Sequence, residues 1–269
     1  MDILSCQNFD YFKFIKTKEK LLCDFPFLKA KRIGKSVMGK EICAFMLGEA
    51  EEYVLFVGGV SGSEGYTSLL LSAFLYDLSK ALSLGESFEG LRVRRALKGR
   101  ALAVVPCLNP DGCEIAAKGK AGCGNFEKTI SVFAKNGFES FSTNARGVDL
   151  DRNFTALSGL TEPETVALNS FINELPLRHA VVFGSGNGEI VSANGDYIPN
   201  RSLRMGEIMA TSTGYTFEKQ PLIYEGFIDR VGRVHKKPAF KILCEKPKSE
   251  ELLNLYKELR EVLILSAIM

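Results

Sequence analysis

The sequence lacks several features that would assign it to a class of protein at once. It has no tryptophan, only two histidines among 269 residues, and no Cys-x-x-Cys pair among its seven cysteines. No apolar run reaches the roughly 18 residues that suggest a membrane-spanning helix. The 34 basic residues nearly balance the 32 acidic ones, and no lysine- or arginine-rich tract occurs. Neither a membrane nor a nucleic acid is therefore predicted as a partner.

The amino-terminal stretch MDILSCQNFDYFKF has no charged region followed by an apolar one, so it does not predict a signal peptide. The cysteines are odd in number, and most lie among apolar residues. That pattern is typical of reduced, buried thiols. Because disulfides are rare in reducing compartments, these observations together predict a cytoplasmic protein.

The sequence has the composition of a globular protein with a sizeable core, since 46% of its residues are apolar and 25% are charged. Three continuous apolar runs, 53–57, 101–105 and 180–183, are typical of strands buried on both faces. Helical patterns such as 65–82 separate them. Strands alternating with helices predict one α/β domain over residues 1–269, with a mostly parallel mixed sheet covered by helices on both faces.

Local signals add detail to this outline. Thr161 and Glu164 form a Thr-x-x-Glu capping box, which predicts a helix from there to about Leu175. The sequence Asn-Pro-Asp-Gly at 109–112 predicts a turn. Residues 118–145 are rich in glycine and lysine with little periodicity, and they predict a long surface excursion.

Ligands of parallel sheets bind at the carboxyl ends of the strands, so we expect segments 58–64, 106–112, 184–189 and 243–245 to form the site. The order of the segments along the chain resembles the zinc metallocarboxypeptidases, the carboxypeptidase A-like enzymes. The similarity extends in particular to the bacterial branch that cleaves γ-D-glutamyl-diamino-acid bonds in cell-wall peptides. The stretches that carry the resemblance are Ile33–Ser36 with Gly39–Ile42, Gly58–Glu64, Val105–Gly112, Asn144–Phe154, Glu162–Thr165 and Pro238–Phe240.

The resemblance implies a zinc carboxypeptidase-like fold and a zinc ion held by a His-x-x-Glu pair and a second histidine, with one position open for water. The first motif reads Ser61-Gly62-Ser63-Glu64 here, so Glu64 is the competent ligand that is left. The second histidine falls on Gly184, and the glutamate that activates the water falls on Leu243. Because serine, glycine and leucine cannot supply those donors, no zinc cofactor and no intact catalytic residue are predicted.

Other side chains are weighed as replacements for the missing donors. His179 precedes its strand, about 16 Å from the strand's active end, and His235 lies in the helix before the last strand. Glu245 follows the last strand and is displaced by about 7 Å from the catalytic position. Cys107 and Cys244 lie near strand ends, but their spacing matches no zinc motif. We expect structural roles for these residues, and a metal site rebuilt from them is the alternative.

The resemblance also implies substrate-binding positions. The family's Asn-Arg pair, which holds the terminal carboxylate of the substrate, is replaced here by Asp151-Arg152. The arginine can still bind a carboxylate, whereas the aspartate adds a negative charge or engages Arg152 itself. Arg146 is a candidate for the family's upstream arginine, and Tyr224 for its mobile tyrosine. Glu189 is expected beside them.

These residues predict a non-catalytic peptide-binding or interaction protein on a carboxypeptidase fold. Its cleft would be lined by Glu64, Asp151, Arg152 and Glu189 and would carry net negative charge. The expected ligand is a peptide or a cell-wall-peptide-like molecule. Two alternatives stay open at this point. One is an active metallocarboxypeptidase or cell-wall peptide hydrolase with an unorthodox metal site, and the other is a structural partner in an assembly.

Overall fold

A computed structural model describes residues 3–4, 8–154, 160–193, 201–219, 226–248 and 251–269. The helices of this part of the chain are α1 (Tyr11–Asp24), α2 (Gly65–Leu84), α3 (Val93–Ala96), α4 (Pro110–Lys118), α5 (Glu127–Phe133), α6 (Pro163–Glu174), α7 (Arg201–Thr213), α8 (Phe227–Arg230) and α9 (Leu252–Ile268). The strands are β1 (Lys29–Lys35), β2 (Glu41–Leu47), β3 (Tyr53–Val57), β4 (Ser87–Phe88), β5 (Leu91–Arg92), β6 (Ala101–Val105), β7 (Leu177–Ser185), β8 (Glu189–Ser192), β9 (Thr216–Lys219) and β10 (Ala239–Cys244). None of these helices is long and apolar enough to cross a membrane.

The main sheet has eight strands in the order β1-β2-β6-β3-β7-β10-β8-β9. Its centre is parallel, because β3 pairs in parallel with β6 and β7, and β10 pairs in parallel with β7. Antiparallel pairings join β2 to β6 and β8 to β10 on either side. The predicted mostly parallel mixed sheet is confirmed, and strands β4 and β5 form a separate small pair.

Helices cover both faces of the sheet, as predicted. Successive side chains of a strand point to opposite faces. Val54 and Phe56 of β3 therefore belong to one apolar cluster, with residues of α1, α2 and α9. Leu55 and Val57 belong to another, with residues of α6 and α8. Because both faces are covered, both sets of side chains are apolar, which explains the uninterrupted apolar runs in the sequence.

The predicted turn at 109–112 is instead the start of α4. Asn109 caps this helix, since its side-chain oxygen accepts a hydrogen bond from the Gly112 amide at 2.9 Å, and Pro110 occupies the first helical position. The excursion that follows has a small core of its own. Its buried members include Cys123 and Ile130. The glycine- and lysine-rich composition of this stretch did not indicate that core.

The predicted capping box at Thr161 is also absent from the described residues. Helix α6 begins at Pro163, and its N-cap is Glu162, whose side chain makes no capping bond. The Thr161 hydroxyl accepts a hydrogen bond from the Asn153 side-chain amide at 2.8 Å. The threonine thus joins the loop to a neighbouring turn, and the proline fixes the helix start.

A buried polar network ties together the segments that carry the family resemblance. We call Asn144, Glu162, Glu164 and Asp111, with their partners, the Asn144 network. The Asn144 amide donates to carboxylate oxygens of Glu162 (2.7 Å) and Glu164 (3.2 Å). The backbone amide of Val37 donates to Glu164 at 3.0 Å, and that of Met38 donates to Asp111 at 2.7 Å. Four distant segments of the chain are joined through these bonds.

Candidate functional site

The candidate site lies where parallel strands β3, β7 and β10 end side by side at one edge of the sheet. Leu243 of β10 pairs with Gly184 of β7, and Val57 at the end of β3 pairs with Val182. Sheets of this kind bind ligands beyond the carboxyl ends of their strands. The loop after β3 therefore reaches the same place as the ends of β7 and β10.

The loop after β3 is packed so closely that it requires glycine at two positions. Gly59 has a φ of 56°, and a Cβ placed on it would lie 3.0 Å from the Cys107 sulfur. A Cβ on Gly62 would lie 2.5 Å from the carbonyl oxygen of Phe141. This close packing fixes a short 3₁₀ turn that ends at Glu64, immediately before α2.

Glu64, Gly184 and Leu243 come together at this edge of the sheet, as the sequence predicted. A Cβ placed on Gly184 would lie 3.3 Å and 3.6 Å from the two carboxylate oxygens of Glu64. The same Cβ would lie 3.2 Å from Cδ2 of Leu243. The backbone amide of Ser185 donates to Oε1 of Glu64 at 2.8 Å. The centre of the site therefore contains one carboxylate beside a glycine and a leucine.

The environment of Glu64 favours its neutral form. Burial raises the pKa of its carboxyl group above the usual value. Hydrogen bonds from the backbone of Ser185 and Ser61 and the positive charge of Lys241 oppose this rise in pKa, whereas the negative charge of Asp151 adds to it. The balance of these effects holds a proton on Glu64 to a higher pH than on an exposed glutamate.

The two other residues expected near the missing zinc ligands offer no further aligned donor. The Ser61 hydroxyl lies 3.1 Å from the hydroxyl of Ser63. Glu245 is exposed and follows the end of β10. Within the ranges that the structure describes, no group of three or more His, Cys, Asp or Glu side chains is placed to hold a metal ion.

Both histidines lie away from the centre of the site. His179 is buried near the start of β7, where its Nε2 is 3.0 Å from the carbonyl oxygen of Ser266. Burial lowers the pKa of His179 to about 3, so this imidazole is neutral. His235 ends the π-helical segment that precedes β10, and burial also lowers its pKa.

The two cysteines considered as metal ligands contact different groups. The sulfur of Cys107 lies 3.8 Å from that of Cys113. The Cys244 thiol lies 3.5 Å from the carbonyl oxygen of Gly184 and 3.7 Å from the Tyr66 hydroxyl. Burial raises the pKa of Cys244 to about 11, which keeps this thiol protonated. The two sulfurs thus belong to separate packing contacts.

Asp151 is held from two sides of the cleft. Its carboxylate forms an ion pair with Lys241 of β10, and the two side chains are only 13% and 15% exposed. Its Oδ1 accepts a hydrogen bond from the Phe227 amide at 3.0 Å. A Cβ placed on Gly226 would lie 3.0 Å from the same oxygen. The negative charge of Asp151 is therefore met by a buried ammonium group.

The two candidate arginines lie at the periphery. The Arg152 side chain is 75% exposed, and its Nε lies 3.7 Å from Oδ2 of Asp149. Asp151 was expected either to repel an anion or to engage Arg152, and the structure provides Lys241 as its partner. Arg146 lies beside the Asn144 network, with its Nη1 3.6 Å from Oε2 of Glu162.

Glu189 begins β8, where it pairs with Leu243 of β10, and it is half-buried. Its Oε2 accepts a hydrogen bond from the backbone amide of Asn187 at 3.0 Å. It thus lies beside the centre of the site. Tyr224, the candidate for the mobile tyrosine, falls outside the described residues.

The sequence reasoning missed two residues of this site, Lys241 and Tyr66. Lys241 precedes Leu243 by two positions on β10 and so shares its face of the strand. A single charged residue in the otherwise apolar run AFKILC was the signal that could have revealed it. The Tyr66 hydroxyl lies 3.0 Å from Oγ of Ser185, joining the start of α2 to the end of β7.

Three comparisons with known proteins identify the family of the chain. The zinc carboxypeptidase family model matches residues 19–192, more than half of the chain. The gamma-D-glutamyl-L-diamino acid endopeptidase 1 of Lysinibacillus sphaericus is 27% identical over 176 residues, which cover 64% of this chain and 44% of that protein. Carboxypeptidase Z of Rattus norvegicus is 28% identical over 137 residues, covering 48% and 19%. The chain thus spans less than half the length of these two relatives.

Solved structures show the same fold at lower sequence identity. Bovine thrombin-activatable fibrinolysis inhibitor, in complex with tick carboxypeptidase inhibitor, matches with a TM-score of 0.75 at 14% identity. That match covers 97% of this chain and 96% of the other. The murein-tripeptide amidase MpaA of Escherichia coli O157 matches with a TM-score of 0.56 at 17% identity, covering 88% and 89%. From its sequence match and its fold, the chain belongs to the zinc carboxypeptidase family.

Proposed function

We propose that the protein is a non-catalytic member of its family that binds a peptide, or a cell-wall-peptide-like molecule, in the cleft at the strand ends. One observation carries the proposal: the Glu64 carboxylate faces Gly184 and Leu243, where the family chemistry requires a histidine and a glutamate. In this proposal the protein keeps the fold and the cleft of its family but has neither the zinc ion nor the catalytic residues.

The residues described around Glu64 do not fit a catalytic zinc ion. Such a site takes three protein ligands and keeps one position for water. Here the aligned donors comprise a single carboxylate, which already accepts a hydrogen bond from Ser185 and whose pKa is raised by burial. Leu243 also provides no group that could take a proton from water.

The proposed ligand presents a cationic group to the cleft. Asp151 is paired with Lys241 and exposed Arg152 lies beside Asp149, while the Glu189 carboxylate lies beside the centre of the site. A free carboxylate is disfavoured beside Asp151, and an amine or guanidinium is relatively favoured. One relative is named a gamma-D-glutamyl-L-diamino acid endopeptidase. For this reason, the first ligand to test is a peptide with an amino group in its side chain.

The decisive experiment measures metal content and peptidase activity of the purified protein and of restored variants. We expect less than stoichiometric zinc in the natural chain and no zinc-dependent hydrolysis. The double variant Ser61→His/Gly184→His should gain zinc binding. Turnover should require Leu243→Glu in addition, because the leucine supplies no base.

Two controls keep this experiment informative. Ser63→His introduces one imidazole near Glu64 at an unaligned position and should not restore stoichiometric zinc binding. The unmodified chain, assayed with and without a chelator, tests the competing reading. One zinc per chain together with a peptidase activity lost on chelation would establish an active hydrolase with an unorthodox metal site, and our proposal would fall.

The cytoplasmic location also stays a proposal. It rests on the cysteines, of which the six described ones are free thiols.

A further inference from the structure

Two buried cysteines are in contact beside the strand-end site. The sulfur of Cys113, in the first turn of α4, lies 3.8 Å from that of Cys107, which follows β6. Both side chains belong to one apolar cluster, and they are only 1% and 2% exposed. The bond of a disulfide is about 2 Å long, so the sulfurs are a little under 2 Å too far apart to be bonded. A change of side-chain rotamer can close a gap of this size.

The two sulfurs lie against the loop that carries Glu64. A Cβ placed on Gly59 would lie 3.0 Å from the Cys107 sulfur and 3.4 Å from the Cys113 sulfur. The Cys113 thiol also lies 3.7 Å from the carbonyl oxygen of Ser61 and 3.9 Å from that of Gly59. The loop therefore rests on both sulfurs, and a change in their separation must alter its contacts.

A cavity of about 420 Å³ gives small molecules access to one member of the pair. Cys113 lines this cavity together with Gly62 and Ser63 of the same loop. The exposed residues Lys246 and Lys248 also line it, so the cavity is open to solvent. A water molecule occupies roughly 30 Å³ in the liquid, so a molecule as small as hydrogen peroxide fits easily.

The Cys113 thiol is stable in the reduced protein. Its hydrogen bond with Cys107 and its burial raise the pKa of this thiol well above the ordinary value. Cys113 thus stays protonated at neutral pH. Because the thiolate is the nucleophilic form, its oxidation is slow and requires sustained exposure to an oxidant.

We infer that Cys107 and Cys113 are a modification site, at which hydrogen peroxide forms a reversible disulfide. In the first step the Cys113 sulfur attacks a peroxide oxygen, the O–O bond breaks, and a sulfenic acid and one water form. In the second step the Cys107 sulfur attacks the sulfur of the sulfenic acid, the S–O bond breaks, and a second water leaves. The thiol protons end on the departing oxygens. Two thiols are thereby oxidised to a disulfide, and one peroxide is reduced to two waters.

This modification is independent of the proposed peptide binding, but it acts on the same region of the molecule. Closing the gap changes the contacts that both sulfurs make with Gly59 and Ser61. Oxidation should therefore change the loop at 58–64, which positions the Glu64 carboxylate.

The test treats the full chain with hydrogen peroxide, blocks the remaining thiols under denaturing conditions, and maps the cysteines by mass spectrometry after trypsin digestion. Cleavage after Arg100 and Lys118 releases one peptide that contains both cysteines. We expect this peptide to become lighter by two hydrogen atoms and to regain its mass with dithiothreitol. Two blocked thiols in this peptide after peroxide treatment would overturn the inference. A bond from Cys107 to Cys43, or a sulfinic acid at Cys113, would overturn it as well.

Single substitutions distinguish the roles of the two cysteines. Cys107→Ala removes the second step, so a sulfenic acid should persist at Cys113, where dimedone traps it. Cys113→Ala should leave Cys107 reduced, because Cys113 is the member that lines the cavity. Cys123→Ala removes another buried thiol and is the matched control, which should form the disulfide at the natural rate. Trapping at Cys107 instead of Cys113 would overturn the assigned order of steps.

Two further measurements test the route and the effect of the disulfide. Ala117→Phe narrows the cavity and should slow disulfide formation, whereas an unchanged rate would exclude the cavity as the route. Amide hydrogen exchange of the reduced and oxidised chains should differ at residues 58–64 and agree at strand β1. Identical exchange at residues 58–64 would overturn the effect on the loop.

Discussion

In the Asn144 network, each buried carboxylate accepts a hydrogen bond from the amide of another segment, whereas at the strand ends Glu64 faces a glycine and a leucine. Both regions consist of residues that carry the family resemblance. The network residues hold loops against the sheet, so losing one leaves a buried charge unsatisfied. Gly184 and Leu243 lie at the ends of the paired strands β7 and β10, and the fold is kept although they stand where the family has a histidine and a glutamate. A resemblance that identifies a fold is therefore no measure of the chemistry at its site.

The largest expected effect comes from breaking the network. Asn144→Ala removes the amide that donates to Glu162 and Glu164, and it should lower the free energy of unfolding by about 3 kcal/mol or more. Urea denaturation measures this value. Asn254→Ala, on the exposed face of α9, is the control and should stay within about 0.5 kcal/mol. Equal effects of the two substitutions would show that the network does not hold the fold.

The ion pair in the cleft should give the next largest effect. Lys241→Met leaves the mostly buried Asp151 without its ammonium partner, which should destabilise the fold by about 2–4 kcal/mol. Asp151→Asn/Lys241→Met should recover most of this loss, because both charges are then absent. A double-mutant cycle of urea midpoints measures the coupling. Strictly additive effects would mean that the pair is not coupled, and the charge account of the cleft would need revision.

Alanine substitutions at two glycines of the site, Gly62 and Gly184, should differ in their cost to stability. Gly62→Ala places a Cβ 2.5 Å and 2.7 Å from backbone carbonyl oxygens of Phe141 and Gly112, so we expect a loss of about 1–3 kcal/mol. The three atoms nearest to a Cβ at position 184 belong to the side chains of Glu64 and Leu243, at 3.2 Å or more, so Gly184→Ala should cost less than about 1 kcal/mol. Thermal unfolding of the two variants compares them. The opposite ranking would mean that position 184 cannot accept the histidine that restoration needs.

The smallest expected effect is a change with pH in the stability of the variant Glu64→Gln relative to the natural chain. Because burial raises the pKa of Glu64 in the folded chain, the folded state binds this proton more tightly than the unfolded state does. The contribution of Glu64 to stability is therefore present at low pH and is lost as pH rises from about 4.5 through the raised pKa. Glu64→Gln should thus gain stability relative to the natural chain as pH rises. Burial also raises the pKa of Glu164. Because both proteins contain this residue, its contribution cancels when their free energies of unfolding are subtracted. A difference that does not change with pH would exclude a raised pKa.

The sequence predicted the central strands well because burial on both faces leaves an uninterrupted apolar run, as in Tyr53–Val57. It predicted the meeting of Glu64 and Gly184 because parallel strands end at one edge of the sheet. The start of α4 was missed because Asn-Pro-Asp-Gly favours both a turn and a capped helix start, and only packing decides between them.

The partner of Asp151 could not be predicted from spacing alone. Lys241 lies 90 residues away in the sequence, on a strand whose other residues are mostly buried and apolar. The pairing depends on the register that brings β10 beside β7 and on the approach of Gly226 to Asp151. Such contacts between distant segments are set by the whole fold, which local patterns do not encode.

The burial of the His179 side chain has a practical consequence for nuclear magnetic resonance. With its Nε2 against the Ser266 carbonyl and a pKa of about 3, this ring does not change charge across the neutral range. His235 is the sole other imidazole of the chain. The ring-proton spectrum should then contain one histidine whose signals stay constant across the neutral range and one, His235, whose titration burial shifts toward lower pH. Any histidine introduced at position 61 or 184 would give a separate signal, so zinc capture by each new ligand could be followed individually.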